Sequence, residues 1–155
     1  MDNLSNTIAS GFICSYRDFA RRVRALAENL SEEQFWTRPY PYGNSFGHLT
    51  LHLTGNLNYY IGTQIANSGY VRDREREFTD PSPPSKEQAL KQFAEAVDLV
   101  VATIEGQTAE TWVEPYQATG NEDFIKDRFS ILLRCACHFH HHIGQMIYLQ
   151  KEFSR

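Results

Sequence analysis

The sequence predicts an all-α protein: a four-helix bundle with a short extra helix near 31–36. Three observations carry that prediction. Four long stretches repeat apolar residues every three or four positions, the period of a helix with one buried face. Strand signals, in which apolar and polar residues alternate between turns, are scarce. Prolines, glycines and capping sequences stand where one helical pattern stops and the next begins. A different all-α packing of the same helices is the alternative.

The first helix spans about 4–30, where Ile8, Phe12, Tyr16, Phe19, Val23 and Leu26 mark one face uninterrupted by proline. "SEEQ" from Ser31 is a capping box, in which a hydroxyl and an amide satisfy free N–H groups, and it opens the short helix. The prolines of "RPYPYGN" end that helix. A second long helix starts at Asn44 or Ser45 and runs to about Asn67. Next comes "VRDREREFTDPSPPS", a connection of a length that usually marks function or mobility. A second capping box, "SKEQ" from Ser85, leads a helix that Gly106 closes, and "TAETW" adds a turn. After an irregular stretch, the last helix runs from Asp123 or Asp127 to Phe153.

A chain of 155 residues suits one domain, 1–155, around one core. The net charge of −4 argues against a nucleic-acid partner, which calls for a basic face. No apolar run is long enough to span a bilayer, so no membrane partner is expected. The first ten residues lack the basic start and apolar stretch of a signal peptide, making the cytoplasm the expected location. Cys14, Cys135 and Cys137 are odd in number and read as reduced thiols.

All six histidines fall on two helices. Four lie in "CHFHHHIGQM" (137–146); His48 and His52 lie in "FGHLTLHLTGN". At about 100° per residue, His138, His142 and Gln145 share an inward stripe with Ile131, Cys135 and Leu149. His140 points to nearly the opposite face, toward solvent, and His141 sits at the border. Two imidazoles at i and i+4 can converge on one metal ion, which makes His138 and His142 the candidate pair. A third ligand must come from the other helix. Geometry alone leaves His48 and His52 both open.

The stretches "LHLTGNLNYYIG" (51–62) and "HFHHHIGQMIYL" (138–149) resemble the two signature segments of the DinB-like superfamily, which includes the YfiT type. That family's pattern of HxxxHxGQ on the last helix is met by His138, His142, Gly144 and Gln145. Its branch with HLxGN on the second helix is met by His52, Leu53, Gly55 and Asn56. "GYVRDREREF" (69–78) resembles the charged connection of the same branch, so the likeness covers nearly the whole chain. The resemblance implies an up-down-down-up bundle whose metal ligands are His52, His138 and His142, with His48 outside the set. His48, His140 and His141 depart from the pattern by adding imidazoles near it.

The resemblance also implies a divalent-metal enzyme, with zinc or nickel foremost and iron or manganese as alternatives. Characterised relatives use low-molecular-weight thiols such as mycothiol or bacillithiol in transferase and isomerase reactions, and hydrolysis has been proposed for others. The expected partner is therefore a small-molecule substrate, with such a thiol as one candidate, and a homodimer is common in the family. Three neutral imidazoles leave an ion its charge and at least one open position, as catalytic rather than structural zinc sites do. The competing expectation is a non-catalytic module that binds a metal or a small ligand; a bundle with no metal is third.

Other candidates follow from position. Asn56 and Tyr59 lie one and two turns after His52 and either line the pocket or bond to neighbouring helices. Gln145 either orients a ligand or bridges helices. Glu75 and Glu77 are the carboxylates to test as a general base, although the run around them reads first as a solvated face pairing with Arg72, Arg74 and Arg76. Cys135 is a candidate fourth ligand or a core thiol. Gly55 and Gly144 are expected to let helices approach closely. Trp36, Trp112 and the tyrosines of "YPYGN" either pack the bundle or wall the pocket.

Overall fold

The computed structural model describes residues 3–155. Helix α1 (Asn3–Glu28) is followed by the short α2 (Glu32–Trp36) and by α3 (Phe46–Leu57). Helix α3 continues into a π-helical turn, Asn58–Thr63. The connection that follows carries the one-turn α4 (Arg76–Thr79) before α5 (Lys86–Glu105). One-turn α6 (Ala109–Trp112) and an irregular segment lead to α7 (Arg128–Glu152). The long elements α1, α3 with its π-helical extension, α5 and α7 form an all-α, up-down-down-up bundle.

The ends of the helices are where the local chemistry puts them. Ser31 and Ser85 both form complete capping boxes with Gln34 and Gln88. Of the two candidate starts for the last helix, Asp127 is the cap: its carboxylate accepts from the Ser130 N–H at 2.7 Å. The second long helix departs from expectation. Its α-helical part stops at Leu57, and the wider π turn presents the Tyr60 carbonyl to the Tyr116 hydroxyl, which donates to it at 2.7 Å.

Helix directions follow from pairs of contacts. Phe12 meets Phe129 and Phe19 stacks on His140, so α1 and α7 run in the same sense. His52 meets His138 while Tyr60 lies under Arg134, so α3 and α7 are antiparallel. Lys86 at the start of α5 donates to the Leu30 carbonyl just past α1, and Glu105 at its end meets Arg17, so α5 runs against α1 and parallel to α3. Two parallel neighbours need a connection that returns the length of the bundle, which explains the long segment after the π turn. Phe139 fills the centre, its ring 6.2 Å from Tyr16, 5.3 Å from Phe19 and 5.4 Å from Phe93. The buried Tyr16 hydroxyl donates to the Leu132 carbonyl at 2.8 Å and ties α1 to α7. No helix among the described residues is long and apolar enough to cross a membrane.

Candidate metal centre

Two adjacent turns of α7 and one turn of α3 bring three imidazoles together. His138 Nε2 lies 3.0 Å from His142 Nε2 and 3.2 Å from His52 Nε2. His52 is buried, and His138 and His142 are half-buried. Ligand atoms on a tetrahedral ion with bonds of ~2.0–2.1 Å stand about 3.3 Å apart, so the spacing is close to what one ion requires.

Tautomers decide whether those nitrogens offer lone pairs. His52 Nδ1 pairs with Glu77 Oε2 at 2.8 Å; since a carboxylate only accepts, Nδ1 carries the proton and Nε2 is left free to ligate. His142 Nδ1 donates likewise to Gln145 Oε1 at 2.6 Å. Protonation does not compete. Burial, then the neighbouring His142 and His52, then the Arg134 and Arg72 guanidiniums push His138 down to about 3. Burial foremost holds His142 at about 4, although its bond to Gln145 works the other way. Both rings are neutral near pH 7, and the donor set is compatible with a divalent metal.

Glu77 is held as firmly as the histidine it serves. Arg72 donates to both its oxygens, Nε to Oε1 at 2.7 Å and Nη2 to Oε2 at 3.0 Å. Both side chains are over nine-tenths buried. The expected solvated charge run is thus half wrong: Glu75 and Arg74 are exposed, whereas Arg72 and Glu77 turn inward and clasp His52. With both oxygens engaged, Glu77 is an orienting carboxylate rather than a free base. This clasp is the feature that sequence reasoning missed, and Gly55 was its signal. A Cβ at Gly55 would stand 2.9 Å from Glu77 Cδ, 3.3 Å from Arg72 Nε and nearer still to Glu77 Oε1. The glycine makes room for side chains of the connection, not for a neighbouring helix. Gly144 has open space around it and serves no close approach.

The remaining candidates separate cleanly. His140 is exposed, stacked on Phe19, and His141 is exposed beside the His142 ring. His48 stands apart, its Nδ1 2.6 Å from Ser45 Oγ and its ring edge-on to Trp36. Cys135 is fully buried and outside the cluster, and burial pushes its thiol up to about 12, a core thiol rather than a thiolate ligand. Asn56 is buried, with an Oδ1 that meets no partner among the described residues. Tyr59 reaches away from the histidines, its hydroxyl donating to the Thr119 carbonyl at 3.3 Å. Trp112 packs between Phe12 and Phe129 and donates to Ser5 Oγ. Tyr40 and Tyr42 stack on each other and, with Leu49, Gln145 and Tyr148, wall a cleft of about 270 Å³ next to the His142 side of the site.

No curated protein matches the chain significantly. The family model for the DinB superfamily matches residues 16–146, a span that contains all three converging histidines, the Arg72–Glu77 clasp, the second half of α1, all of α3 and α5, and most of α7. The chain belongs to the DinB superfamily.

Proposed function

We propose that the protein is a divalent-metal enzyme that activates a small-molecule thiol or a water for transfer to, or hydrolysis of, a small electrophilic substrate. The observation that carries this reading is the convergence of three Nε2 atoms, two of them on rings whose Nδ1 faces a fixed acceptor on the far side. A zinc or nickel ion bound there supplies Lewis acidity, which favours the nucleophilic form of a thiol or water at neutral pH. The chain's own part is positional. Glu77 and Arg72 hold His52, and Gln145 holds His142. His138 and His142 bring no charge of their own near pH 7 and so leave the ion's charge for substrate. His138 and His142 are half-exposed, and the cleft walled by Tyr40, Tyr42 and Tyr148 offers the body of a small substrate an apolar seat next to Gln145.

A second reading, a non-catalytic metal- or ligand-binding module acting as a homodimer, is favoured by one observation. Two cavities of about 740 and 780 Å³ are lined by none of the three histidines. Metal analysis of tag-free protein comes first: near one equivalent is expected in the wild type and little in His138→Ala/His142→Ala. Equal metal content in both sinks the site. The metal-loaded protein is then assayed against a panel of electrophiles with several low-molecular-weight thiols. Turnover that disappears in His52→Ala supports the enzyme. Metal uptake without turnover supports the module.

A further inference from the structure

In the metal-centre reading, on which this inference rests, one ligand lacks the support the other two have. His138 Nδ1 is buried and meets no hydrogen-bond partner among the described residues. Three more buried atoms share that condition: Asn121 Oδ1, in the segment before α7, and two that lie one turn from the histidines on α3 and α7. One is Asn56 Oδ1, on a residue only 2% exposed. The other is Arg134 Nη1, whose companions Nε and Nη2 are both taken by Glu122. An unsatisfied buried polar atom costs about 1–3 kcal/mol, so three in one region call for a shared explanation.

They do lie in one region. Asn56 is one turn on from His52 along α3, and Arg134 is one turn back from His138 along α7. Because α3 and α7 are antiparallel, both steps lead the same way, toward Tyr60, whose ring centre is 4.9 Å from the Arg134 guanidinium carbon. The three orphans border the layer of the α3–α7 interface immediately beyond the histidines. We propose that His138 Nδ1, Asn56 Oδ1 and Arg134 Nη1 bind one internal water, which orients the His138 ring and makes Asn56 and Arg134 positioning residues of the metal centre.

The hydrogen-bond count closes in both states of the site. With an ion on Nε2, the His138 proton resides on Nδ1. The water then accepts from Nδ1 and from Arg134 Nη1 and donates to Asn56 Oδ1, three bonds, as buried waters commonly make. Without an ion, His138 Nε2 faces two rings whose protons sit on their Nδ1 atoms, so it must itself be the donor. The water then donates to Nδ1 and to Asn56 and accepts from Arg134. His138 carries one proton in each case; only its place changes. A carboxylate or carbonyl in that position accepts only, and serves just the first arrangement.

The test has two arms. A high-resolution crystal structure of the metal-free protein is expected to show a water within hydrogen-bond distance of all three atoms. A direct Asn56–His138 bond, or no density there, overturns the proposal whether or not the protein binds metal. Zinc affinity is then measured by chelator competition. Loss of a group that orients a metal ligand typically weakens binding 10–100-fold. Asn56→Leu is expected to bind about 10-fold more weakly, without a lower melting temperature for the zinc-free protein. Asn56→Asp keeps the acceptor and is expected to bind at least as tightly as the wild type. Equal affinity in wild type and Asn56→Leu overturns the positioning role. Failure of the wild type to take up zinc while His138→Ala behaves identically removes the metal-centre reading instead, and the crystallographic water still decides this one.

Discussion

Replacing Gly55 with alanine tests the clasp on His52 with the smallest possible change. The new methyl carbon would sit 2.9 Å from Glu77 Cδ and 3.3 Å from Arg72 Nε, inside the ~3.5–4.0 Å of a comfortable contact. The carboxylate has to move by more than half an ångström, yet it is pinned by two Arg72 bonds and one from His52. Two effects oppose each other. Alanine in a helix interior is worth about 1 kcal/mol over glycine, whereas disrupting a buried pair costs about 3–5 kcal/mol. The balance is a loss of about 2–4 kcal/mol, read from urea unfolding of the metal-free protein. Zinc affinity, read by chelator competition, should fall 10–100-fold because His52 loses the group that fixes its tautomer. Gly55→Ala that is about 1 kcal/mol more stable than wild type, with unchanged zinc affinity, would refute the clasp.

Acid should weaken the metal-free fold in a defined window. An unfolded chain protonates its histidines near pH 6.5, whereas the folded chain takes up those protons only at about 4 for His142 and about 3 for His138. The unfolded state therefore binds more protons in between, and stability falls as pH drops. The contribution is complete above about pH 6.5 and is lost progressively down to about 3. Urea midpoints should decline over that range in the wild type and decline less in His138→Ala/His142→Ala; equal slopes would count against the buried pair. His140→Ala and His141→Ala, at exposed rings, should leave zinc stoichiometry intact and stability within about 0.5 kcal/mol. Tyr16→Phe removes the buried bond to the Leu132 carbonyl and should cost about 0.5–1.5 kcal/mol by urea unfolding.

Helical periodicity and local capping were legible because both are nearest-neighbour properties. Ser31, Ser85 and Asp127 cap helices through residues three positions away. His138 and His142 share a face because 3.6 residues make a turn. The choice between His48 and His52 was not legible from spacing, since both sit on one helix four residues apart; it took the family resemblance to separate them. The Arg72–Glu77 clasp was hidden for another reason. A run of alternating charges looks solvated until tertiary contacts bury two of its members. Gly55 offered a hint, because a glycine in mid-helix is unfavourable and needs a cause. The π turn at Asn58–Thr63 left no trace in the apolar pattern, as one extra residue shifts the face too little to register.

The two halves of the trio lie 86 positions apart in the chain. Any ion they hold is therefore a reversible cross-link between the second long helix and the last. In the chain-entropy treatment used for disulfides, closing a loop of that size restricts the unfolded ensemble by about 4.5 kcal/mol, on the scale of a whole domain's stability. Chelation would then loosen the protein far from the histidines. With an ion bound, metal supply would become a term in how long this bundle survives.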